Sequence, residues 1–216
     1  MGSAEHPAAD ATAFDLSAMS DKQLAMLEAA QRVFLERGFA AAGTDAIQRE
    51  AGVSKATLYA HFGNKEGMFS AVIRWNCARY FERAQGRLTA GACLRERLRN
   101  LARGYLELLM RPEASALYRI VLEAAPRFPQ LAALFYESAP GRINALVRDI
   151  LERAVADGEL RLSAEDIAPA AQLFAAMVRG EPFLRRALYP LETMPPAARD
   201  AWADLAVERF LAAYGV

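Results

Sequence analysis

Cysteine and histidine are scarce in this sequence. The 216 residues include two cysteines, Cys77 and Cys93, and two histidines. These numbers exclude a disulfide framework and a zinc site built from cysteine and histidine, so we expect no metal and no other cofactor. Because a chain without structural disulfides suits a reducing compartment, we expect the protein to work in the cytoplasm.

An excess of either charge is also absent. The 26 lysines and arginines balance 26 aspartates and glutamates, and the isoelectric point is about 6.8. Long apolar runs are missing too, since a run such as residues 131–136 is far shorter than the roughly 18 residues of a membrane span. The N-terminus lacks the pattern of a secretory signal. We therefore expect a soluble protein with no membrane partner.

Apolar residues are abundant, and their spacing is helical. Hydrophobic residues make up 54% and charged residues 24% of the chain, a composition that excludes overall disorder. Alternating β-branched runs bounded by hairpin turns are missing, whereas stripes such as Ile143, Val147 and Ile150 follow the period of a helix. The sequence predicts an all-α fold.

The spacing of helix signals divides the chain into three regions. Residues 1–20 are predicted to be a disordered tail, residues 21–68 a small unit of short helices, and residues 69–216 a larger helical domain. In the small unit, Ser20 and Gln23 have the spacing of a capping box, and Gly38 is expected to end the first helix with Phe39 folding back on it. Asn64 is expected to cap the helix that enters the larger domain.

Proline and glycine mark the helix boundaries of the larger domain. The expected boundaries are Pro112, residues 126–129, Pro140 with Gly141, Gly158, and Pro195 with Pro196. Ser163 and Asp166 have capping-box spacing for the next helix. Residues 167–178 of that helix contain one polar side chain, Gln172, so it needs burial on more than one side.

Residues 44–62 have the pattern of a helix-turn-helix. Two short helices, 44–51 and 54–62, flank Gly52, which permits a sharp turn. Ser54 is a good N-cap, and Leu58 and Phe62 face inward on the second helix. Small residues such as Ala56 remain on the outer face, where they allow close approach to a major groove and where Lys55 can donate to guanine.

Residues 27–69 resemble the DNA-binding domain of the TetR/AcrR family of transcriptional regulators. The matching residues are Ala29, Ala30, Phe34, Gly38, Phe39, Thr44, Ile47, residues 51–55, 57–59 and 61–62, Lys65 and Glu66. The resemblance implies groove contacts from Lys55, Ala56 and Tyr59, and phosphate contacts from Thr44, Thr57, His61 and Lys65, with Ser54 at the same surface. Two residues depart from the pattern: Gln48 stands where the family has a small residue, and Asp45 places an acid near the expected phosphates.

The charge of the small unit is neutral rather than basic. Residues 21–68 contain six lysines and arginines and six aspartates and glutamates. Because the usual basic footprint is missing, we expect few phosphate contacts per subunit and a shallow salt dependence of DNA binding.

Residues 69–216 resemble the effector-binding and dimerisation domain of the AefR-like branch of that family. The resemblance implies a homodimeric repressor on a pseudopalindromic operator, released when a small and largely apolar effector enters the larger domain. Candidate pocket residues are Trp75, Met110, Tyr118, Phe135, Phe174 and Met177, for which simple core packing is the alternative. Candidate dimer residues on the last two helices are Phe174, Val178, Val207, Phe210, Leu211 and Tyr214.

Two other classes of function stay open at this point. An all-α ligand-binding or interaction protein would not bind DNA, and an enzyme could use carboxylates or tyrosines in an apolar cavity. The motifs GxGxxG, GxxxxGK, GxSxG and HExxH do not occur, and His61 is the one histidine outside the tail, so we expect no enzyme.

Overall fold

A computed structural model describes residues 19–88 and 93–216. The predicted tail, apart from residues 19 and 20, lies outside the described residues. β structure in the described part is limited to one isolated antiparallel bridge between Leu160 and Gly215, so the all-α prediction is confirmed. The helices are α1 (Asp21–Ala41), α2 (Thr44–Ala51), α3 (Lys55–Phe62), α4 (Lys65–Leu88), α5 (Leu94–Leu109), α6 (Pro112–Ala124), α7 (Pro129–Tyr136), α8 (Arg142–Ala156), α9 (Ile167–Leu188) and α10 (Pro196–Tyr214), with a π-helical turn (Glu137–Gly141) between α7 and α8.

The first helix begins at the predicted capping box and bends near its end. The Ser20 hydroxyl accepts from the Gln23 backbone N–H at 3.3 Å, and the Gln23 side chain accepts from the Ser20 N–H at 3.0 Å. Gly38 adopts φ 73° and ψ 171°, so it bends the chain, and one more turn follows to Ala41. The ring of Phe39 folds back on the preceding turn, with its centroid 6.0 Å from that of Phe34. The positive φ of Gly38 and the position of Phe39 agree with the prediction, but the helix does not end at Gly38.

The predicted start of α9 is wrong. The Ser163 hydroxyl donates to the Asp166 carboxylate at 2.6 Å, so the two side chains bond each other instead of capping backbone N–H groups. Asp166 itself is the N-cap residue, and the helix starts at Ile167. The capping-box spacing therefore marks a turn just before the helix.

A kink in α9 follows from Gly180 and Pro182. Pro182 has no N–H, so the carbonyl of Val178, four residues earlier, loses its helical partner. The Trp202 indole N–H of α10 donates to that carbonyl at 3.0 Å instead. A Cβ atom on Gly180 would lie 3.1 Å from the Trp202 ring, so a glycine permits this close approach. The sequence predicts no helix boundary or kink at Gly180 and Pro182.

The apolar interior consists of two clusters. One is formed by α5, α8, α9 and α10, with Phe174 and Phe210 in its middle. The other combines α1–α4 with α6 and α7, and it includes Val121 and Leu131 beside Phe34 and Leu58. The predicted division between residues 68 and 69 lies inside α4, so apolar packing is continuous across it.

None of the described helices combines the length and the hydropathy that crossing a bilayer requires.

Candidate DNA interface and effector cavity

The turn between α2 and α3 is held by buried side chains and a glycine. Gly52 adopts φ 64° and ψ 28°, the left-handed conformation that glycine reaches without steric cost. Ile47 on α2 and Leu58 on α3 are fully buried in the N-terminal cluster. The inner side of the pair is therefore anchored, and the opposite side of α3 is left in solvent.

The start of α3 is capped as predicted. The Ser54 side chain accepts from the Thr57 backbone N–H at 3.1 Å, and the two hydroxyls lie 2.8 Å apart. Lys55, Ala56 and Tyr59 are exposed. The three candidate groove residues therefore lie on one exposed face of α3, while Thr57 is half-buried beside the N-cap residue Ser54.

Asp45, the acidic residue that departs from the family pattern, contacts Lys55. Lys55 Nζ donates to Asp45 Oδ1 at 2.9 Å. The hydrogen bond and the charge of Asp45 raise the pKa of Lys55. Without DNA, the ammonium of Lys55 is therefore paired inside the protein rather than free.

The candidate phosphate contacts surround this face. The hydroxyls of Thr44 and Tyr59 lie 3.4 Å apart, which is long for a hydrogen bond but brings α2 and α3 to one edge. His61 is exposed at the end of α3. Lys65 Nζ donates to the carbonyl of Ala40 at 2.9 Å, and desolvation by burial lowers the pKa of Lys65. Lys65 thus contacts the end of α1, with two further N–H groups to offer.

One cation at this surface was missed by the sequence analysis. Arg49 is exposed in the last turn of α2, one turn after Asp45, and no carboxylate of the described residues pairs with it. By contrast, Arg32 Nε donates to Glu50 at 2.8 Å. The signal for Arg49 was its spacing of four residues from Asp45, which places both on one face of α2.

An apolar cavity lies in the larger domain, between α4, α5, α6, α7 and α9. It has about 60 Å³ that a water molecule can enter, and its wall is predominantly apolar. Tyr118 of α6 and Phe135 of α7 line it, so the structure places two of the predicted pocket residues at this cavity.

The other four predicted pocket residues lie elsewhere. Trp75 is buried in the N-terminal cluster, and the Arg79 guanidinium lies 4.5 Å from its ring centre. Phe174 packs on Phe210 in the C-terminal cluster, which Met177 also contacts. Met110 lines an outer groove beside the loop before α10. For Trp75, Phe174 and Met177 the structure shows the alternative of core packing, because helical spacing does not distinguish a core from a cavity.

Sequence analysis also missed the polar side chains at the cavity. Tyr105 of α5 is 5% exposed, and burial raises its pKa to about 12. Arg179 of α9 is half-buried in the wall, next to Phe183, whose ring lies 4.9 Å from that of Tyr118. The available signal was the position of Arg179 as the first charge after the apolar residues 167–178.

Most of the predicted dimer residues lie in the core of the protomer. Phe174, Val178, Val207 and Phe210 are almost completely buried within one chain. Leu211 and Tyr214 are half-buried against the same cluster. This part of the prediction is corrected: the most apolar stripe of each helix serves the chain's own core. The large apolar side chains that α9 and α10 leave exposed are Leu173, Leu184, Leu188 and Leu205.

Both halves of the chain match one family of regulators. Residues 26–72 match the bacterial regulatory proteins of the tetR family, and residues 96–216, more than half of the chain, match the C-terminal domain of the AefR-like transcriptional repressors. Among curated relatives, the transcriptional activator FasR of Mycolicibacterium smegmatis is 33% identical over 98 residues. That alignment spans 45% of this chain and 44% of FasR, so less than half of the relative is covered.

Solved structures match over nearly the whole chain. The flavonoid-responsive regulator FrrA is 37% identical with a TM-score of 0.73, and the match covers 90% of this chain and 97% of FrrA. A TetR-family regulator from Mesorhizobium loti is 27% identical with a TM-score of 0.81, at the same coverage of both chains. The chain therefore belongs to the TetR family of bacterial transcriptional regulators, with an AefR-like C-terminal domain, and it is a DNA-binding transcriptional regulator.

Proposed function

We propose that this regulator is a homodimeric repressor that places α3 of each protomer in the major groove of a pseudopalindromic operator. The observation that carries the proposal is the exposed face of α3, with the small residues Ala56 and Ala60, opposite the fully buried Leu58. An anchored inner side and small outer residues let a short helix approach base edges closely. The match to AefR-like repressors supports repression as the direction of regulation.

Lys55, Ala56 and Tyr59 contact the bases in this proposal, with Ser54 fixing the start of the helix. The phosphates are contacted by Thr44, Thr57, His61 and Lys65, and we add Arg49 because it is an exposed cation next to that edge. Lys55 exchanges its bond to Asp45 for a base acceptor when DNA binds. The cost of that exchange is small, because both partners are already exposed to water.

Dimerisation in this proposal uses the exposed side of α9 and α10. Leu173 and Leu184 of α9 and Leu205 of α10 are large apolar side chains in solvent. In a two-fold contact the same surface of both protomers is used, so the dimer buries each of these leucines once in each protomer. A symmetric protein in turn explains why the operator is expected to be pseudopalindromic.

The apolar cavity between α4, α5, α6, α7 and α9 is the proposed site of a small apolar effector. Pockets that bury a drug-sized ligand measure about 300–1,000 Å³, so a ligand must open this much smaller cavity. The wall helix α6 directs Tyr118 to the cavity, whereas its residues Ile120 and Val121 belong to the core shared with α1. A displaced α6 therefore pushes on the helix that supports the DNA-binding unit.

A polar contact through α4 joins the cavity to α1 of the DNA-binding unit. Asn76 lines the cavity, and its side-chain oxygen accepts from the Gln31 amide of α1 at 3.1 Å. An effector releases DNA only if it binds more tightly to the state in which the two DNA-binding units are wrongly spaced. The name of FrrA, a flavonoid-responsive relative, supports an apolar or aromatic effector for this chain.

DNA binding is tested with Tyr59→Ala and the control Tyr189→Ala, which removes an exposed tyrosine from the end of α9. We expect the wild type and the control to be retained on a duplex of the protein's own promoter region, and Tyr59→Ala to be lost from it at unchanged helical content. Retention of Tyr59→Ala at full strength would contradict the proposed α3 contact. Failure of the wild type to bind any duplex would contradict the DNA-binding role itself.

Coupling is tested with Gln31→Ala, which cuts the contact to Asn76 from the α1 side and leaves the cavity wall intact. We expect an effector to bind this variant with unchanged affinity but to release DNA only at higher concentration. An unchanged release curve would show that the contact does not transmit the signal.

A further inference from the structure

The polar groups of the cavity are few, and they are not equivalent. Asn76 is buried, but both ends of its amide are occupied: the NH₂ donates to the Val72 carbonyl at 2.9 Å, and the oxygen accepts from Gln31. The rings of Phe81, Phe135 and Phe183 form part of the remaining wall, which also contains aliphatic side chains and the tyrosines Tyr80, Tyr105 and Tyr118. A ligand must therefore find its polar partners among the other groups.

Tyr105 is the most buried of the tyrosines in this wall. Its side chain lines the cavity and is 95% buried, and no residue in the described part of the chain forms a hydrogen bond with its hydroxyl. The hydroxyl is therefore available to a ligand.

Arg179 provides a cation in the same wall. No carboxylate in the described part of the chain pairs with its guanidinium, whereas Arg185 pairs with Glu192 and Arg103 pairs with Asp204. Arg179 and Tyr105 line the same cavity, from α9 and α5. The positive charge of Arg179 also opposes the effect of burial on the pKa of Tyr105.

The kink of α9 lies directly after this cation. Arg179 precedes Gly180, and the bond from Trp202 to the Val178 carbonyl holds the bend. Phe183, four residues after Arg179, also lines the cavity. The wall formed by α9 therefore contains a cation and an aromatic ring.

We propose that the cavity binds an apolar acid, with one carboxylate held between the Arg179 guanidinium and the Tyr105 hydroxyl and an apolar body against the phenylalanines. A carboxylate accepts from both groups at once, and arginine suits it because its N–H groups match the carboxylate oxygens. The one lysine or arginine of the described lining fits a single negative charge. This assignment rests on the proposed effector role of the cavity, which it makes specific.

The test compares acids with their neutral partners on the purified protein without DNA. Decanoate against methyl decanoate tests an aliphatic body, and 3-phenylpropionate against its amide tests an aromatic body, with calorimetry as the readout. We expect at least one acid to bind wild-type protein about 10- to 100-fold more tightly than its neutral partner, as a charge-assisted hydrogen bond implies.

Variants locate the carboxylate. Arg179→Gln and Tyr105→Phe each keep most of the side-chain volume, and both are expected to reduce the preference for the acid while leaving binding of the neutral partner unchanged. The matched control is Arg153→Gln on the exposed face of α8, which removes a charge away from the cavity. Circular dichroism verifies that each variant is folded, and the wild-type comparison needs no variant.

Three outcomes overturn the proposal: neutral partners that bind as tightly as the acids, an acid preference that survives Arg179→Gln, and no binding of either acid. A separate titration of the promoter complex distinguishes this failure from failure of the proposed function. Acids that bind in the predicted manner but leave DNA bound support the carboxylate site and contradict the effector role.

Discussion

At the scale of single residues, Asp45 determines how Lys55 meets DNA. Its carboxylate holds the Lys55 ammonium at 2.9 Å and also lies at the surface where phosphates are expected. DNA must therefore displace one acid before the lysine can reach a base. The same carboxylate repels the backbone, so it restrains binding to arbitrary sequence more than binding to a site with a good acceptor for Lys55.

Replacing Asp45 by asparagine is expected to strengthen DNA binding. Asp45→Asn keeps the shape of the side chain but frees Lys55 and removes a negative charge, so we expect roughly three- to tenfold tighter binding to random duplex. The control is Glu36→Gln, which removes one acid of the same unit beside Arg37. Fluorescence anisotropy measures both, and an equal gain in the control would mean that net charge, not the pair, is responsible.

The two cysteines are expected to react at different rates. Burial raises the pKa of Cys77 to about 12, while Cys93 is exposed. Because the thiolate is the reactive form, a thiol reagent at pH 8 should modify Cys93 quickly and Cys77 only when the chain unfolds. Intact mass measured over time with and without denaturant checks this difference in rate, which two equally fast modifications would contradict.

The raised pKa of Cys77 also affects the stability of the fold. Cys77 favours the folded state below about pH 9, and this contribution is lost as the pH rises toward 12.

At the scale of elements, the kink of α9 is tied to a neighbouring helix. It lies between Arg179 and Phe183, which both line the cavity, and the Trp202 indole of α10 bonds to it. The missing N–H of Pro182 makes the indole the partner of a buried carbonyl.

Removal of the Trp202 indole N–H is expected to lower the free energy of unfolding most while Pro182 is present. Trp202→Phe leaves the Val178 carbonyl unpaired, and we expect a loss of about 1–3 kcal/mol in the free energy of unfolding. Pro182→Ala restores an N–H four residues after that carbonyl, so Trp202→Phe should cost less in this background. Urea denaturation of the four proteins forms a double-mutant cycle, and additive effects would contradict the account.

Local signals predicted the elements well where the signal and the structure involve the same few residues. The bounds of α2 and α3 and the caps at Ser20 and Ser54 follow from neighbouring residues, so the sequence was sufficient. Ser163 failed as a cap because its hydroxyl had a competing partner in Asp166.

Pocket and interface residues could not be predicted in the same way. Helical spacing gives the apolar face of α9, but not which neighbour covers it. Phe174 therefore satisfied the criteria for a pocket and for an interface, although Phe210 of the same chain covers it. Tyr105 and Arg179 line one cavity from α5 and α9, and periodicity does not show which distant residues share a cavity.

At the scale of the whole molecule, the exposed leucines of α9 and α10 predict the dimer. Leu205→Glu places a charge on both sides of a two-fold contact, so we expect monomers at micromolar concentration and weaker operator binding. Leu122→Glu on α6 is the control, because it changes an equally exposed leucine outside that surface. Sedimentation velocity measures the outcome, and a dimeric Leu205→Glu protein would move the interface elsewhere.

Salt dependence tests the charge pattern of the whole DNA-binding surface. Residues 21–68 have no net charge, Lys55 is paired with Asp45, and Lys65 is bonded to the end of α1, so few cations per protomer can replace counterions on the phosphates. The slope of log K against log salt is about −0.9 for each neutralised phosphate, and we expect a total of roughly −2 to −5 for the dimer. Asp45→Asn removes one acid beside the expected phosphates from each protomer, so the slope should become steeper by roughly two. A wild-type slope near −10 would mean that many ion contacts form despite the neutral charge, and an unchanged slope in Asp45→Asn would mean that Asp45 does not offset the cations at the phosphates.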